Sequence, residues 1–201
     1  MLKSLLAISS SPRREGNSEL LLESFVRGVQ EQGWKTVTIR LNGLKFKPCQ
    51  ACDKCASTGE CVLDDDMQTV YPQVALSDAI VMATPIYFGS VSGQLKIFID
   101  RFQCWWHAKY NLGKPPVREE EGRPAFFICV GALRKKQYCE NAHSVVEVFC
   151  SVINFNLLDW LCFRGIDEKG AIMDHPAALD KAFQAGRHFA ELCWPRPDLW
   201  R

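Results

Sequence analysis

Five stretches of the chain carry apolar residues in a strand-like pattern, and between them the period changes to that of a helix. Leu5 to Ile8, Ala79 to Ala83 and Ala125 to Val130 are continuous apolar runs, the form taken by strands buried on both faces of a parallel sheet. Lys35 to Leu41 alternates polar and apolar positions instead, which predicts an edge strand with one face in water. Leu157 to Phe163 supplies the last strand.

The helical stripes fall between these runs. Leu21, Leu22, Phe25, Val26 and Val29 share one helix face, as do Met67, Val70, Tyr71 and Val74. Leu95, Phe98, Ile99 and Phe102 form a third stripe, Val145, Val148, Phe149 and Val152 a fourth, and Leu179, Ala182, Phe183, Gly186, Phe189 and Ala190 a fifth. Strands alternating with helices predict an α/β fold with helices on both faces of a parallel sheet. Length and order fit a flavodoxin-like, doubly wound, five-stranded sheet of order 2-1-3-4-5, with residues 1–201 as a single domain. Two segments interrupt the alternation. One is a cysteine-rich loop at 47–63. The other, 105–122, holds Trp105-Trp106, Pro115-Pro116 and Glu119-Glu120-Glu121, lacks periodicity and predicts a long excursion before the fourth strand. The tail from Trp194 to Trp200 cannot continue a helix through Pro195 and Pro197, and its tryptophans predict packing on its own domain or on a neighbouring subunit.

Charge and cysteine usage narrow the class. With 24 Lys and Arg against 23 Asp and Glu, no broad field draws the chain to nucleic acid or an anionic membrane. The longest apolar run is about half of what a bilayer span needs, and the apolar start is too short for a signal peptide. Ten cysteines without a secretion signal do not read as a disulfide framework. Cys49, Cys52, Cys55 and Cys61 lie within thirteen residues, whereas the other six sit in apolar segments as core thiols, Cys129 the clearest of them. A cytoplasmic, reducing setting is expected.

Chemistry gathers where strands end. After the first strand comes Ser9-Ser10-Ser11-Pro12-Arg13-Arg14-Glu15-Gly16-Asn17-Ser18 and then a helix. In an open parallel sheet ligands bind at the carboxyl ends of strands, and a helix N-terminus offers N–H groups to an anion. Ser10, Ser11, Arg13, Asn17 and Ser18 supply the donors that a phosphate takes; the alternative is that Asn17 or Ser18 only caps the helix. No GxGxxG follows the first strand and no GxxxxGK[ST] occurs, which favours a mononucleotide over a dinucleotide or a P-loop nucleotide. The third strand runs into Thr84-Pro85-Ile86-Tyr87-Phe88-Gly89-Ser90, an aromatic and backbone-rich wall suited to a flat ring, or a structural turn with a buried tyrosine. Gly131, ending the fourth strand, lets backbone approach the same ring. The spacing Cys49-x2-Cys52-x2-Cys55-x5-Cys61 suits a cubane, with a zinc site or metal-free thiols as the other readings. His107, His143, His175 and His188 have no ligating partner spacing.

Three of these motifs in this order resemble the NADPH-dependent FMN reductase group, and within it the iron-sulfur flavoproteins of the flavodoxin-like superfamily. They are Ser11-Pro12-Arg13 with Gly16-Asn17-Ser18, the cysteine loop closing on Cys61-Val62-Leu63-Asp64-Asp65-Asp66-Met67, and Thr84 to Lys96 followed by Phe98-Ile99-Asp100-Arg101. The resemblance implies that Ser10, Arg13, Asn17 and Ser18 hold the phosphate of FMN, and that Pro85, Tyr87, Phe88, Gly89 and Ser90 line the isoalloxazine. It further implies a [4Fe–4S] cluster on the four loop cysteines, NAD(P)H or a redox-carrier protein as electron donor, and a homodimer or homotetramer. No acid–base residue is assigned, because flavin chemistry belongs to the cofactor. The expected function is an FMN-dependent oxidoreductase, with a non-catalytic electron carrier or a zinc-bound binding module as the alternatives.

Overall fold

The computed structural model describes residues 3–117 and 122–193. Its sheet has five parallel strands in the expected order 2-1-3-4-5: β1 (Ser4–Ser9), β2 (Lys35–Arg40), β3 (Ala79–Pro85), β4 (Arg123–Gly131) and β5 (Phe155–Arg164). The continuous apolar runs occupy the three central strands and the alternating one an edge, where Val37 is exposed. Successive strand residues point to opposite faces, so each central run feeds two cores. Leu6, Ile8 and Phe127 pack with α2 (Met67–Leu76), α3 (Gly93–Asp100) and α5 (Lys136–Val152), whereas Leu5, Ala7 and Phe126 pack with α1 (Asn17–Glu31) and α6 (Pro176–Leu192).

Helices α1 and α6 pack backbone to backbone on one face of the sheet. A Cβ at Gly186 would stand 2.0 Å from the Phe25 carbonyl oxygen, and one at Gly28 2.1 Å from that of Phe183. Two glycines thus let the helix backbones touch, and α6 runs alongside α1 in the same direction, from Leu179 beside Ser24 to Arg187 beside Glu31. Gly186→Ala is expected to force these helices apart and destabilise the protein by about 3 kcal/mol, near the upper end of ordinary overpacking. Denaturant unfolding checks this.

Four expectations need correction. The excursion at 105–122 begins as helix: α4 (Gln103–Tyr110) buries Cys104, Trp105 and Ala108 and leaves the aromatic Trp106 and Tyr110 exposed. Six α-helices therefore accompany the strands among the described residues, not five. The core face of α5 is Cys139, Ala142, Val146, Phe149 and Cys150, rotated from the expected stripe, of which Val148 is exposed. Cys139 and Cys162, expected as separate thiols, are joined in a disulfide, because the first turn of α5 lies over β5 where Cys162 pairs with Cys129 of β4. The tail from Trp194 onward and Glu119 to Glu121 lie outside the described residues. No helix among the described residues is long and apolar enough to cross a membrane.

Candidate functional site

At the carboxyl ends of β1, β3 and β4 a cavity of about 320 Å³ opens between the first loop and the loop after β3. Ser11, Arg13, Asn17, Ser18, Pro85, Ile86, Tyr87, Phe88 and Gly131 line it, so nine of the thirteen residues expected to meet the cofactor share one wall. Helix α1 enters this wall uncapped. Its N-cap is Gly16, with no side-chain cap, so neither Asn17 nor Ser18 serves as the cap. A Cβ on Gly16 would lie 2.8 Å from Ser11 Oγ and 3.2 Å from the Arg13 carbonyl oxygen, so the cradle closes only around glycine. The loop is shaped by its own hydroxyl and carboxylate: Arg13 N–H donates to Ser11 Oγ at 3.1 Å, and Glu15 N–H to Glu19 Oε2 at 2.6 Å. Glu19 is held in turn by Arg40.

Ser18 and Asn17 differ in what they are free to do. Ser18 is 2% exposed, and its hydroxyl has no protein partner among the described residues, although it lines the cavity. Asn17 is fully engaged: its amide donates to the Glu168 carbonyl at 2.9 Å and accepts from Ile172 N–H at 3.1 Å. It fastens the loop after β5 against α1. That loop brings Ile166, Asp167 and Lys169 into the cavity, a contribution that sequence reading missed. Lys169 stands 3.5 Å from Glu15 at the exposed rim.

Four expected residues lie behind the wall. Ser10 is fully buried, its hydroxyl donating to the Ala83 carbonyl at 2.9 Å and accepting from Ser92 at 3.0 Å. Thr84 Oγ1 accepts from Ser92 N–H at 3.0 Å. Ser92 also caps α3 by accepting from Leu95 N–H, so Ser10, Thr84 and Ser92 lock the base of the two loops together. Gly89 and Ser90 shape the tip. Tyr87 and Ser90 exchange backbone hydrogen bonds at 3.1 Å, with Phe88 and Gly89 between them at φ 50° and 78°. A non-glycine residue at the first of these positions is uncommon, and Phe88 is also fully exposed at the mouth. Tyr138 packs beneath Gly89, and Asn141 Nδ2 donates to the Gly89 carbonyl at 3.3 Å. On the opposite side, Gly131 admits Ile86, whose Cβ would be 2.9 Å from a Cβ there. A second, more open cavity of about 730 Å³ meets the first at Ile166 and is lined by Arg134, Arg164, His175 and Lys181.

The cysteine loop folds separately, under α3 and α4. Asp65 and Asp66 clamp its ends, Asp66 accepting from Lys45 N–H at 2.6 Å and Asp65 from Lys47 N–H at 3.2 Å. Between the cysteines the backbone turns through left-handed positions at Ala51 (φ 48°) and Asp53 (φ 55°), each costing about 1 kcal/mol or more. Such strain gathers at functional sites. Cys49, Cys52, Cys55 and Cys61 line a common cavity of about 140 Å³ with Arg101, Gln103, Cys104 and His107. Burial pushes the Cys55 thiol up and takes Cys104 to about 11. Among the described residues, the one group of three ligating atoms within 4.8 Å of one another is Cys129, Cys139 and Cys162; the four loop sulfurs are more widely spread.

The family model for NADPH-dependent FMN reductase matches residues 4–150. An iron-sulfur flavoprotein of Archaeoglobus fulgidus is 38% identical over 113 residues, covering 56% of this chain and 57% of that protein. One of Methanosarcina thermophila is 35% identical over 97 residues, covering 48% and 51%. The chain thus spans about half the length of the curated relatives it matches. Among solved structures, the NAD(P)H:quinone oxidoreductase from Methanothermobacter marburgensis superposes with a TM-score of 0.70 at 18% identity, covering 94% of this chain and 96% of that one. This likeness establishes the flavodoxin-like arrangement. With the family model spanning β1 through most of α5, the chain belongs to the NADPH-dependent FMN reductase family.

Proposed function

We propose that the protein is an FMN-dependent oxidoreductase that draws electrons from NAD(P)H or a reduced carrier and delivers them to an acceptor. The observation that carries this reading is the buried Ser18 hydroxyl, without a partner among the described residues, at the uncapped N-terminus of α1 inside the cavity. Backbone N–H groups, that hydroxyl and the Arg13 guanidinium would hold the phosphate of FMN. Pro85, Ile86, Tyr87 and Gly131 would flank its ring, with Ser10, Thr84, Gly89 and Ser90 setting the loop shape. When bound, FMN supplies acceptance of a hydride and release of electrons singly or in pairs. Arg134, Arg164 and Lys181 in the adjoining cavity suit the phosphates of a nicotinamide donor.

The cysteine loop would hold a [4Fe–4S] cluster, which supplies one-electron transfer. Two things support this over zinc. The relatives are iron-sulfur flavoproteins by name, and no three of the loop sulfurs lie within 4.8 Å of one another, whereas a tetrahedral zinc with Zn–S distances of about 2.3 Å draws its sulfurs to roughly 3.8 Å apart. In this reading the protein works in the cytoplasm, where Cys104, Cys129, Cys150 and Cys193 stay reduced as thiols.

A second copy would cover the groove between α3, α4 and α5, which Ile99, Trp106, Tyr110, Val145, Val148 and Val152 line with apolar side chains. Light scattering should then give a dimer or tetramer, and Val148→Lys should lower the mass. A flavin-loaded wild-type monomer would reject the interface. The function itself is tested by the visible spectrum of anaerobically purified protein, read before and after dithionite, together with NAD(P)H turnover. Flavin bleaching and steady turnover are expected. Bleaching by dithionite without turnover on either nicotinamide would assign the protein to electron carriage instead.

A further inference from the structure

Two sequence motifs that the flavin cavity leaves unused meet at one side chain. Arg101, at the end of α3, has its guanidinium wholly buried. Its Nη1 donates to Asp65 Oδ2 at 2.5 Å and to the Lys47 carbonyl at 2.9 Å, and its Nη2 donates to Cys61 Sγ at 3.4 Å. Its Nε has no hydrogen-bond partner among the described residues. The backbone is fixed as well, because the Arg101 carbonyl accepts from the Tyr71 hydroxyl at 3.0 Å and from the Cys104 thiol at 3.4 Å.

A buried cation is retained only where its partners offset the loss of water. Asp65 neutralises Arg101 formally, yet the other arm of the fork is turned to a sulfur of the cysteine loop. Among the described residues Arg101 is also the one lysine or arginine lining the cavity that the four cysteines share, and Asp53 the one carboxylate. We propose that Arg101 is a positioning residue that sets the reduction potential of the [4Fe–4S] group on Cys49, Cys52, Cys55 and Cys61, its fixed cation stabilising the charge gained on one-electron reduction. This rests on the cluster reading above.

The sign follows from charge alone. One added electron makes the cluster and its thiolates more negative by one, and no proton moves at Arg101, since its hydrogen bonds to Asp65 and Cys61 hold the guanidinium charged despite burial. Away from water the attraction is several times stronger than in it, and a donor on a ligating sulfur acts in the same direction. Arg101 therefore favours the reduced state and raises the potential. Asp65, at the far side of the fork, tempers that effect.

The experiment is a mediator-equilibrated redox titration of the FMN-loaded protein after anaerobic reconstitution with iron and sulfide. The reduced cluster is followed by its EPR signal, and iron and FMN contents are measured on the same samples. Arg101→Gln should lower the midpoint, and Arg101→Lys should lower it less, because it keeps the charge and loses the fork. Asp65→Asn should raise the midpoint above that of the wild type. If Arg101→Gln keeps FMN but loses iron, Asp65→Asn and Arg101→Lys decide: a raised and a lowered midpoint support the proposal. Midpoints equal to the wild type at equal iron content overturn it. Wild type that takes up no iron overturns the cluster reading and this proposal together.

Discussion

Alanine at both Arg13 and Ser18 is expected to weaken FMN binding by a little over a hundredfold. The two changes remove a charge-assisted hydrogen bond and a neutral one, together about 3 kcal/mol. The effect should fall on binding rather than on folding. Ser18 has no protein partner among the described residues, so its loss orphans nothing in the unliganded protein, and Arg13 is exposed. Asn17→Ala makes the contrast. It leaves the Glu168 carbonyl and the Ile172 N–H unpaired across two segments, so apo stability should drop along with affinity. Flavin-fluorescence titration gives the affinities and thermal unfolding of apo protein the stabilities. Equal FMN affinity in the wild type and the double variant would reject the phosphate assignment.

The sheet was legible because its central strands are continuous apolar runs and its β2 edge alternates, a difference imposed by burial on two faces or one. Helix faces were less legible where apolar residues occupy more than one side. On α5, Cys139, Ala142, Val146 and Phe149 face the core, while exposed Val148 belongs to the groove, and a stripe read from sequence does not say which face the sheet takes. Helix α4 escaped notice because its apolar residues lie on more than one side, Cys104, Trp105 and Ala108 buried but Trp106 and Tyr110 exposed, so no single stripe stands out.

The same division runs through the site. Loops that leave β1 and β3 carry their donors and ring wall in consecutive residues and were readable as motifs. The loop after β5 was not, because it is held at the cavity by residues far away in sequence, Gly131 at the end of β4 and Asn17 at the start of α1. Asn17 resembles a cap or a phosphate ligand locally, but its partners lie 151 and 155 residues away. Arg101 was visible as part of a motif, whereas its position against Asp65 and Cys61 required the fold.

Serine in place of any one of Cys49, Cys52, Cys55 and Cys61 is expected to bring iron and sulfide content close to zero while FMN stays bound. A hydroxyl is a harder and far less acidic ligand than a thiol, and iron in a cubane takes thiolate. Flavin should survive because the two cavities share no lining residue. Cys52 is the cleanest position, since it is exposed and its replacement disturbs no packing. Cys129→Ser is the control: it buries a hydroxyl in a central strand, which costs about 1–3 kcal/mol of stability, and should leave iron content unchanged. Preparation and reconstitution must be anaerobic, because oxygen destroys exposed clusters and would make every variant look alike. Stoichiometric zinc in wild type, lost in the same four variants, would transfer the loop to a structural metal. Anaerobically reconstituted wild type with FMN but no more iron than Cys52→Ser would make the loop a structural or thiol-redox element, and its strained turns at Ala51 and Asp53 would then need another cause.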